Sequence, residues 1–497
     1  MREHSGVAIE DFLITSGSAV REALQMINGA PIKICLLVDT QGRLLRAVTD
    51  GDIRRGLLAG LDLESSADEL PGREPVTCFA DAEKDAIYRL LDENQVHSVI
   101  LIDKESRPVG LADRASLGAG ILMSPPHMGE IELHFVRAAF EDNWIAPAGP
   151  NLVQFEKELA KASGRSHALA VSSGTAALHL ALRVIGVRAG DRVYVSDLTF
   201  AASLQPIMFE GAIPVLIDSE PDSWNMSSEA LGRRLAEDAK DRTLPRAIIL
   251  VHLYGQPADI SSIKAIADHY CVPIVEDAAE SLGASYADRP SGSHGQLAAF
   301  SFNGNKIITT SGGGALVGDD AELLEKARNL STQGRDFAEH YQHSEVAYNY
   351  RMSNVLAGIG LGQLALLQER VAARRAIFRR YREGLTDIPG IGFQQEAPCS
   401  RGSRWLTVIS LNPNRIGRHS YQLMRELRRA GIETRPGWKP MHMQPLCAGL
   451  KFEPHSESEP VSSRLFLQSL CLPSGSSMTQ LDQDHIIAQI RRMVAET

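Results

Sequence analysis

From Ala168 onward the chain alternates short apolar runs with helical stretches: Ala168 to Val171, a helix from Thr175, Arg192 to Val195, a helix near Phe200, Val215 to Ile217, Ala247 to Val251, and Ile274 with Val275. Strand and helix signals in this rhythm specify a mainly parallel sheet with helices on its faces, an α/β architecture. In such a sheet the loops at the carboxyl ends of the strands converge on one crevice, and chemistry-bearing residues are expected there. Glu369 to Leu385 reads as a long helix leading into a smaller C-terminal α+β portion.

At 497 residues the chain exceeds one ordinary core and calls for two or three domains. A composition 44% hydrophobic and 23% charged is that of a globular protein with a large core. A formal net charge of -10 and a pI near 5.9 offer no broad basic face for nucleic acid or an anionic membrane. Arg374, Arg375, Arg379 and Arg380 fall in a helical pattern and read as a solvated helix face. The six cysteines, Cys35, Cys78, Cys271, Cys399, Cys447 and Cys471, have no metal-ligand or redox spacing, so no metal site is expected and they read as reduced packing residues. Met1-Arg2-Glu3-His4 does not open a signal peptide, and no apolar stretch approaches the roughly 20 residues that span a bilayer, so a cytoplasmic protein without membrane insertion is expected.

The first part of the chain repeats itself. Ile34 to Val38, the turn Asp39-Thr40-Gln41-Gly42, Leu44 to Val48 and the helix start Thr49-Asp50-Gly51-Asp52 are matched by Val99 to Ile102, Asp103-Lys104-Glu105-Ser106, Val109-Gly110-Leu111 and Ala112-Asp113-Arg114. The plan resembles a tandem pair of cystathionine-β-synthase (CBS) domains. The resemblance implies an adenine-nucleotide site in which Thr49 and Asp52 bind the ribose; the second repeat has Ala112 and Ala115 at those places. Thr49 reads equally well as the cap of the helix beginning at Asp50. Ser124-Pro125-Pro126-His127-Met128-Gly129 then reads as a linker, because its prolines cannot continue a helix. The expected domains are residues 1–121, a regulatory CBS pair; 122–370, a large domain; and 371–497, a small one.

Two residues carry the chemistry. Lys306 follows the apolar run that ends in Ser301-Phe302, and Asp277 ends the run Ile274-Val275. A loop lysine is most often a solvated charge, and an Asp after a strand can simply cap a helix. An amine and a carboxylate at the ends of neighbouring strands are also what pyridoxal phosphate needs: a Schiff-base lysine and a partner for the protonated ring nitrogen. Ser172-Ser173-Gly174-Thr175 leaves a strand and opens a helix, whose N-terminal amides form an anion site suited to a cofactor phosphate. Phe200 offers an aromatic face for a planar ring or a core side chain.

From about Leu122 to Met493 the chain resembles the DegT-type sugar aminotransferases of the aspartate-aminotransferase fold (fold type I). The resemblance rests on Ser124 to Gly129, Asn143-Trp144-Ile145-Ala146-Pro147, His252-Leu253-Tyr254-Gly255, the Asp277 segment, Asn303-Gly304-Asn305-Lys306-Ile307-Ile308-Thr309-Thr310, Tyr348 to Asn354 and Trp438-Lys439-Pro440-Met441-His442. Within the family the chain is most similar to enzymes that aminate C4 of UDP-4-keto-6-deoxy-N-acetylglucosamine on the way to bacillosamine-type sugars. The resemblance implies pyridoxal 5'-phosphate as cofactor, Lys306 as the Schiff-base lysine and Asp277 as the pyridinium partner. It places Glu280 near the cofactor's phenolic oxygen, where many members have Gln, Phe200 against the ring, and Gly174, Thr175 and Ser301 around the phosphate. Asn349 is implied to enter from a neighbouring subunit, hence a homodimer. Asn143, Trp144, Ile145 and Ala146, with Trp438, Lys439, Met441 and His442, are implied to line a nucleotide-sugar pocket; the second group also reads as a domain turn held by Pro436 and Pro440.

The expected reaction moves an amino group from L-glutamate to C4 of a UDP-linked 4-keto-6-deoxy sugar for surface glycan or glycoprotein synthesis. A GDP- or dTDP-linked acceptor is the neighbouring alternative. A dehydratase, in which the lysine is replaced, is disfavoured because position 306 is Lys. A nucleotide-sensing regulator working through the CBS pair is the alternative from another class; the intact set Asp277, Ser301, Lys306 and Asn349 speaks for catalysis.

Overall fold

The structure is a computed structural model that describes residues 9–29, 34–72, 74–82, 84–94, 96, 98–113 and 120–495. Of the residues singled out above, Met1 to His4, Arg114 and Ala115 lie outside the described residues. The chain divides into two compact units, Met1–Gly120 and Ile121–Thr497.

The first unit is built twice. β1 (Leu13–Thr15) runs parallel to β2 (Ile34–Val38), which pairs antiparallel with β3 (Leu44–Thr49). β4 (Thr77–Phe79), β5 (Ser98–Ile102) and β6 (Pro108–Asp113) repeat the order and the directions. Each hairpin shifts register at the equivalent step, between Leu37 and Val38 and between Leu101 and Ile102. Each is also closed by the same turn chemistry: Asp39 accepts the backbone N–H of Gln41 and Arg43 and pairs with the Arg43 guanidinium, as Asp103 does with Glu105 and Arg107. Phe12, Leu36 and Ile100 form a cluster that joins the two sheets. Helices α1 (Val20–Gly29), α2 (Asp50–Leu58) and α3 (Lys84–Glu93) complete the unit.

The strands of the second unit include β7 (His167–Val171), β8 (Arg192–Ser196), β9 (Ile213–Ile217), β10 (Ala247–Val251), β11 (Ile274–Asp277), β12 (Leu297–Ser301), β13 (Gly314–Gly318), β14 (Ile391–Phe393), β15 (Thr407–Leu411), β16 (Arg435–Pro436), β17 (Lys451–Glu453) and β18 (Ser469–Leu472). Eight of them form one sheet in the order β17-β9-β8-β10-β11-β12-β13-β7. All neighbours from β17 to β12 are parallel, and only β13 runs against its neighbours, so the largely parallel sheet expected from the rhythm is present. β10, β11 and β13 are buried along their whole length, as strands covered on both faces must be. β14, β15, β18 and β16 form a smaller antiparallel sheet. The covering helices include α4 (Glu130–Glu141), α5 (Pro150–Ala162), α6 (Gly174–Ile185), α7 (Asn354–Ala365) and α8 (Leu367–Leu385). Among the described residues no helix is long and apolar enough to cross a membrane.

Two expectations are corrected by packing. Ser124 to Gly129 is no free linker: the Ser124 hydroxyl donates to the Asn305 carbonyl at 2.7 Å, and the His127 ring meets the Arg370 guanidinium and the Ser476 hydroxyl. Arg374, expected on a solvated face, is buried on α8, where its guanidinium donates to the carbonyls of Trp405, Ser474 and Lys306 and to Ser124 Oγ. Burial, with the charge of Arg370, lowers its pKa to about 9. A charged group is held in this interior because oxygen acceptors surround it.

Candidate active site

β11 ends in two acids whose side chains face opposite sides of the sheet, as successive residues of a strand must. Glu276 points to one side and accepts His252 Nε2 at 2.9 Å and the backbone N–H groups of Gly292, His294 and Gly295 at 2.9, 2.6 and 2.6 Å. Burial would raise this carboxyl, but the His252 hydrogen bond and charge and the Gly295 and His294 amides bring it down to about 2. Glu276 is a structural anchor for the loop that leads into β12.

Asp277 points to the other side, into a cavity of about 510 Å³ at the carboxyl ends of the strands. Its Oδ2 accepts the Ser203 hydroxyl at 2.6 Å, Ser203 Oγ lies 2.6 Å from Thr199 Oγ1, and its Oδ1 accepts the Ala279 N–H at 3.2 Å. Lys306 Nζ lies 3.6 Å from Glu280 Oε1 and 3.9 Å from the centroid of the Trp405 ring. Trp405 Nε1 donates to the Asn305 carbonyl at 2.7 Å, so indole and lysine loop are fixed to each other. The other Glu280 oxygen accepts the Tyr254 N–H at 2.7 Å. Burial raises the Glu280 carboxyl above its ordinary range; Lys306 and the Tyr254 amide oppose this in part, and the charge of Asp277 adds to it. Glu280 is thereby biased toward the protonated form, which can donate.

At the third corner Ser173 caps α6 by accepting the Ala176 N–H at 3.0 Å, and Gly174 and Thr175 form the first turn. A methyl group on Gly174 would stand 3.0 Å from the Ser301 Cβ, and one on Gly314 would reach the Gly174 nitrogen at 2.4 Å. Gly314 has no room for a side chain and Gly174 little, so this helix start seats closely against the β12–β13 hairpin. Amides at a helix start, beside the Ser301 side chain, are a phosphate cradle.

Gly174, Thr175, Phe200, Asp277, Glu280, Ser301, Lys306 and Trp438 all line this cavity. Phe200 is 61% exposed on its rim, with its ring 6.0 Å from that of Trp438, so it is not a core side chain. The remaining implied residues lie elsewhere. Asn143, Trp144, Ile145 and Ala146 are exposed, and the carbonyls of Trp144 and Ala146 accept from the Asn354 side chain and backbone. Asn349 is exposed and bridges to Thr332. Lys439 is exposed and Met441 is buried in the core, and neither lines the cavity. The His442 ring is held by Asp197 Oδ2 at 2.7 Å and Ser463 Oγ at 3.0 Å and stacks on Phe452, and it does not line the cavity.

Sequence reasoning missed Ser203, Trp405 and Arg435. Ser203 had a local signal, lying one turn beyond Thr199; Trp405 and Arg435 come from the C-terminal part of the chain and reach the cavity only through the fold.

The chain is similar to known proteins. Residues 126–491 match the DegT/DnrJ/EryC1/StrS aminotransferase family, and the chain belongs to that family. It is 50% identical over 367 residues to EpsN of Bacillus subtilis (strain 168), a protein assigned by name to the pyridoxal phosphate-dependent aminotransferases, covering 74% of this chain and 94% of that one. It is 35% identical to the GDP-perosamine synthase of Caulobacter vibrioides, covering 75% of this chain and 98% of that one. The crystal structure of a DegT DnrJ EryC1 StrS aminotransferase from Brucella abortus superposes with a TM-score of 0.66 at 32% identity, covering 74% of this chain and 99% of that one.

The fold is therefore the fold type I aminotransferase fold, the protein is a pyridoxal phosphate-dependent sugar-nucleotide aminotransferase, and pyridoxal 5'-phosphate is its cofactor. The residues fit it: Asp277 is a buried carboxylate with no ion pair among the described residues, Lys306 shares its cavity, and the glycine-walled helix start completes the set.

Proposed function

We propose that the protein transfers the amino group of L-glutamate to C4 of a nucleotide-linked 4-keto-6-deoxy sugar, with UDP-4-keto-6-deoxy-N-acetylglucosamine as acceptor. The observation that carries the reading is the convergence of Lys306, Asp277 and a raised Glu280 on one cavity whose rim is aromatic and carries a cation, Arg435. When bound, the cofactor carries the amino group between the two substrates and withdraws electrons from the carbon where the proton moves. Asp277, held in place by Ser203 and Ala279, would present its carboxylate to the ring nitrogen. Glu280, its carboxyl raised by burial, would stand by the phenolic oxygen and in its protonated form would donate to it. Lys306 would hold the cofactor, and its free amine would take and return the proton at Nζ; the Trp405 face and Glu280 keep that amine in the cavity.

Trp438 and Phe200 offer faces to sugar or base, and Arg435, which lines the cavity and pairs with Glu433 at 2.9 Å, replaces Lys439, which does not line it, as the cation for a diphosphate. The likeness to a protein named GDP-perosamine synthase favours a second reading with a GDP-linked acceptor. A homodimer is supported by exposed Phe140, Trp144, Ile145 and Val153 on and between α4 and α5, and by exposed Phe337, Tyr341 and Val346 on the segment that leads to Asn349. A second copy would bring Asn349 and the Asn143 to Ala146 segment to the site. The duplicated hairpins of the first unit support the CBS reading, with a regulatory role. Incubating the holoenzyme with glutamate and UDP-, GDP- and dTDP-4-keto-6-deoxy sugars, with mass spectrometry of the products, tests the assignment. A 4-amino sugar from the UDP substrate alone is expected. Amination of none of the three would overturn the reaction, and amination of the GDP substrate alone would select the second reading.

A further inference from the structure

His252-Leu253-Tyr254-Gly255 leaves the end of β10, and no step above uses its tyrosine. Tyr254 adopts φ 56°, ψ 18°, a left-handed conformation that a side chain disfavours by about 1 kcal/mol or more. Gly255 follows at φ 91°, and a β-carbon there would lie 2.5 Å from Ser403 Oγ, 2.8 Å from the Trp405 nitrogen and 3.0 Å from the Glu280 carbonyl oxygen. The turn is thus pressed between the Glu280 segment and the Ser403 to Trp405 segment. Such strain persists only where surrounding contacts hold it.

The strained turn aims two groups of one residue at two walls of the cavity. The Tyr254 N–H donates to Glu280 Oε2 at 2.7 Å, and the Tyr254 hydroxyl oxygen accepts the backbone N–H of Trp438 at 2.9 Å. The phenol ring is buried, with its centroid 5.6 Å from that of Trp438. Burial also pushes the phenol well above its ordinary range, so the group at Trp438 is a neutral hydroxyl. Pro436 and Pro440, which flank Trp438, have no N–H to donate; the Gly437 N–H donates to the Ser469 carbonyl at 3.3 Å and the Met441 N–H to the Asp197 carbonyl at 2.9 Å, and between them the Trp438 N–H is held by the Tyr254 hydroxyl.

We propose that Tyr254 is a positioning residue that fixes Trp438, and with it the acceptor-sugar side of the cavity, against the Glu280 that serves the cofactor side. The proposal rests on the reading that Trp438 meets the sugar nucleotide. Tyr254 acts through Trp438 and touches no substrate itself.

Tyr254→Phe keeps the ring, the turn and the amide to Glu280, and removes the hydroxyl that accepts from Trp438 and also meets the buried Cys471 thiol. With holoenzyme and the sugar nucleotide accepted by the wild type, the variant should raise the sugar-nucleotide KM about five- to tenfold, the usual worth of one buried hydrogen bond. Its kcat and the rate of the glutamate half-reaction should stay within about twofold, a split that general loosening of the fold would not produce. Trp438→Ala should raise the same KM, and adding Tyr254→Phe to it should raise KM no further, because the residue acted upon is gone. An unchanged KM in Tyr254→Phe, or the same proportional rise with and without Trp438, would overturn the proposal while leaving the pocket assignment standing. An unchanged KM in Trp438→Ala would overturn the pocket assignment and the proposal together. The fold is monitored by thermal melting, and Tyr254→Leu, which lacks the hydroxyl and the ring, should reproduce the KM rise.

Discussion

Replacing Glu276 with Gln separates the two adjacent acids of β11 by role. The folded Glu276 carboxyl is held at about 2 against an ordinary 4.5. That gap corresponds to about 3 kcal/mol of stabilisation near neutral pH. Because the folded value is depressed, the contribution is fully present above the ordinary value and disappears as the pH falls toward 2; at about pH 3 only about 1 kcal/mol is left. Gln keeps the shape but turns one amide NH₂ toward N–H groups that now meet a carboxylate, from His252 on one side or His294 and Gly295 on the other. The assay is thermal melting of wild type and Glu276→Gln across the acid range, paired with turnover well below the melting point. Glu276→Gln should melt several degrees lower near neutral pH, approach the wild type as the pH falls, and keep substantial turnover. Asp277→Asn should do the reverse, losing turnover while melting near the wild type. A melting difference that does not shrink in acid, or a Glu276→Gln protein that melts normally but is inactive, would refute the reasoning.

Borohydride reduction of the holoenzyme should fix the cofactor on Lys306, found by peptide mass mapping, and Lys306→Ala should lose turnover with its melting point preserved; a label on another lysine would refute the assignment. Mixing inactive Lys306→Ala with inactive Asn349→Ala under subunit exchange should restore activity, since one site of a mixed dimer would have both residues; proven exchange without recovery would count against a shared site. In the first unit Thr49 Oγ1 and the Thr49 N–H both donate to Asp52 Oδ2, at 2.6 and 2.8 Å, and Arg55 donates to Oδ1 at 2.6 Å, a closed helix cap on α2. Asp52→Ala should therefore cost about 1 kcal/mol of stability, read by denaturant melting. It should also weaken any adenine-nucleotide binding measured by calorimetry; undiminished binding would remove Asp52 from such a site.

The sequence by itself determined the parts that depend on local pattern. Strand periodicity, the strand-to-helix step at Ser173 and Gly174, and the ends of β11 and β12 were legible because side-chain alternation and helix capping are short-range. Asp277 and Lys306 could be paired because carboxyl ends of parallel strands share one crevice. The duplicated hairpins were legible for the same reason, their Asp-led turns being local.

Other features belong to tertiary structure alone. Nothing in Glu276-Asp277 says which acid faces the cavity, since that depends on which face of the sheet meets it. Arg374 looked solvated because it stands among arginines in a helical pattern, yet the lysine loop, Trp405 and Ser474 close over it from parts of the chain up to 100 residues away. His442 and Lys439 lie beside Trp438 in sequence, but Asp197 draws the histidine ring away and the lysine is exposed, while Arg435 reaches the cavity. Tyr254 became informative only when its strained turn was seen between Glu280 and Trp438. Local pattern places a residue on an element; only packing decides which way the element faces and what meets it there.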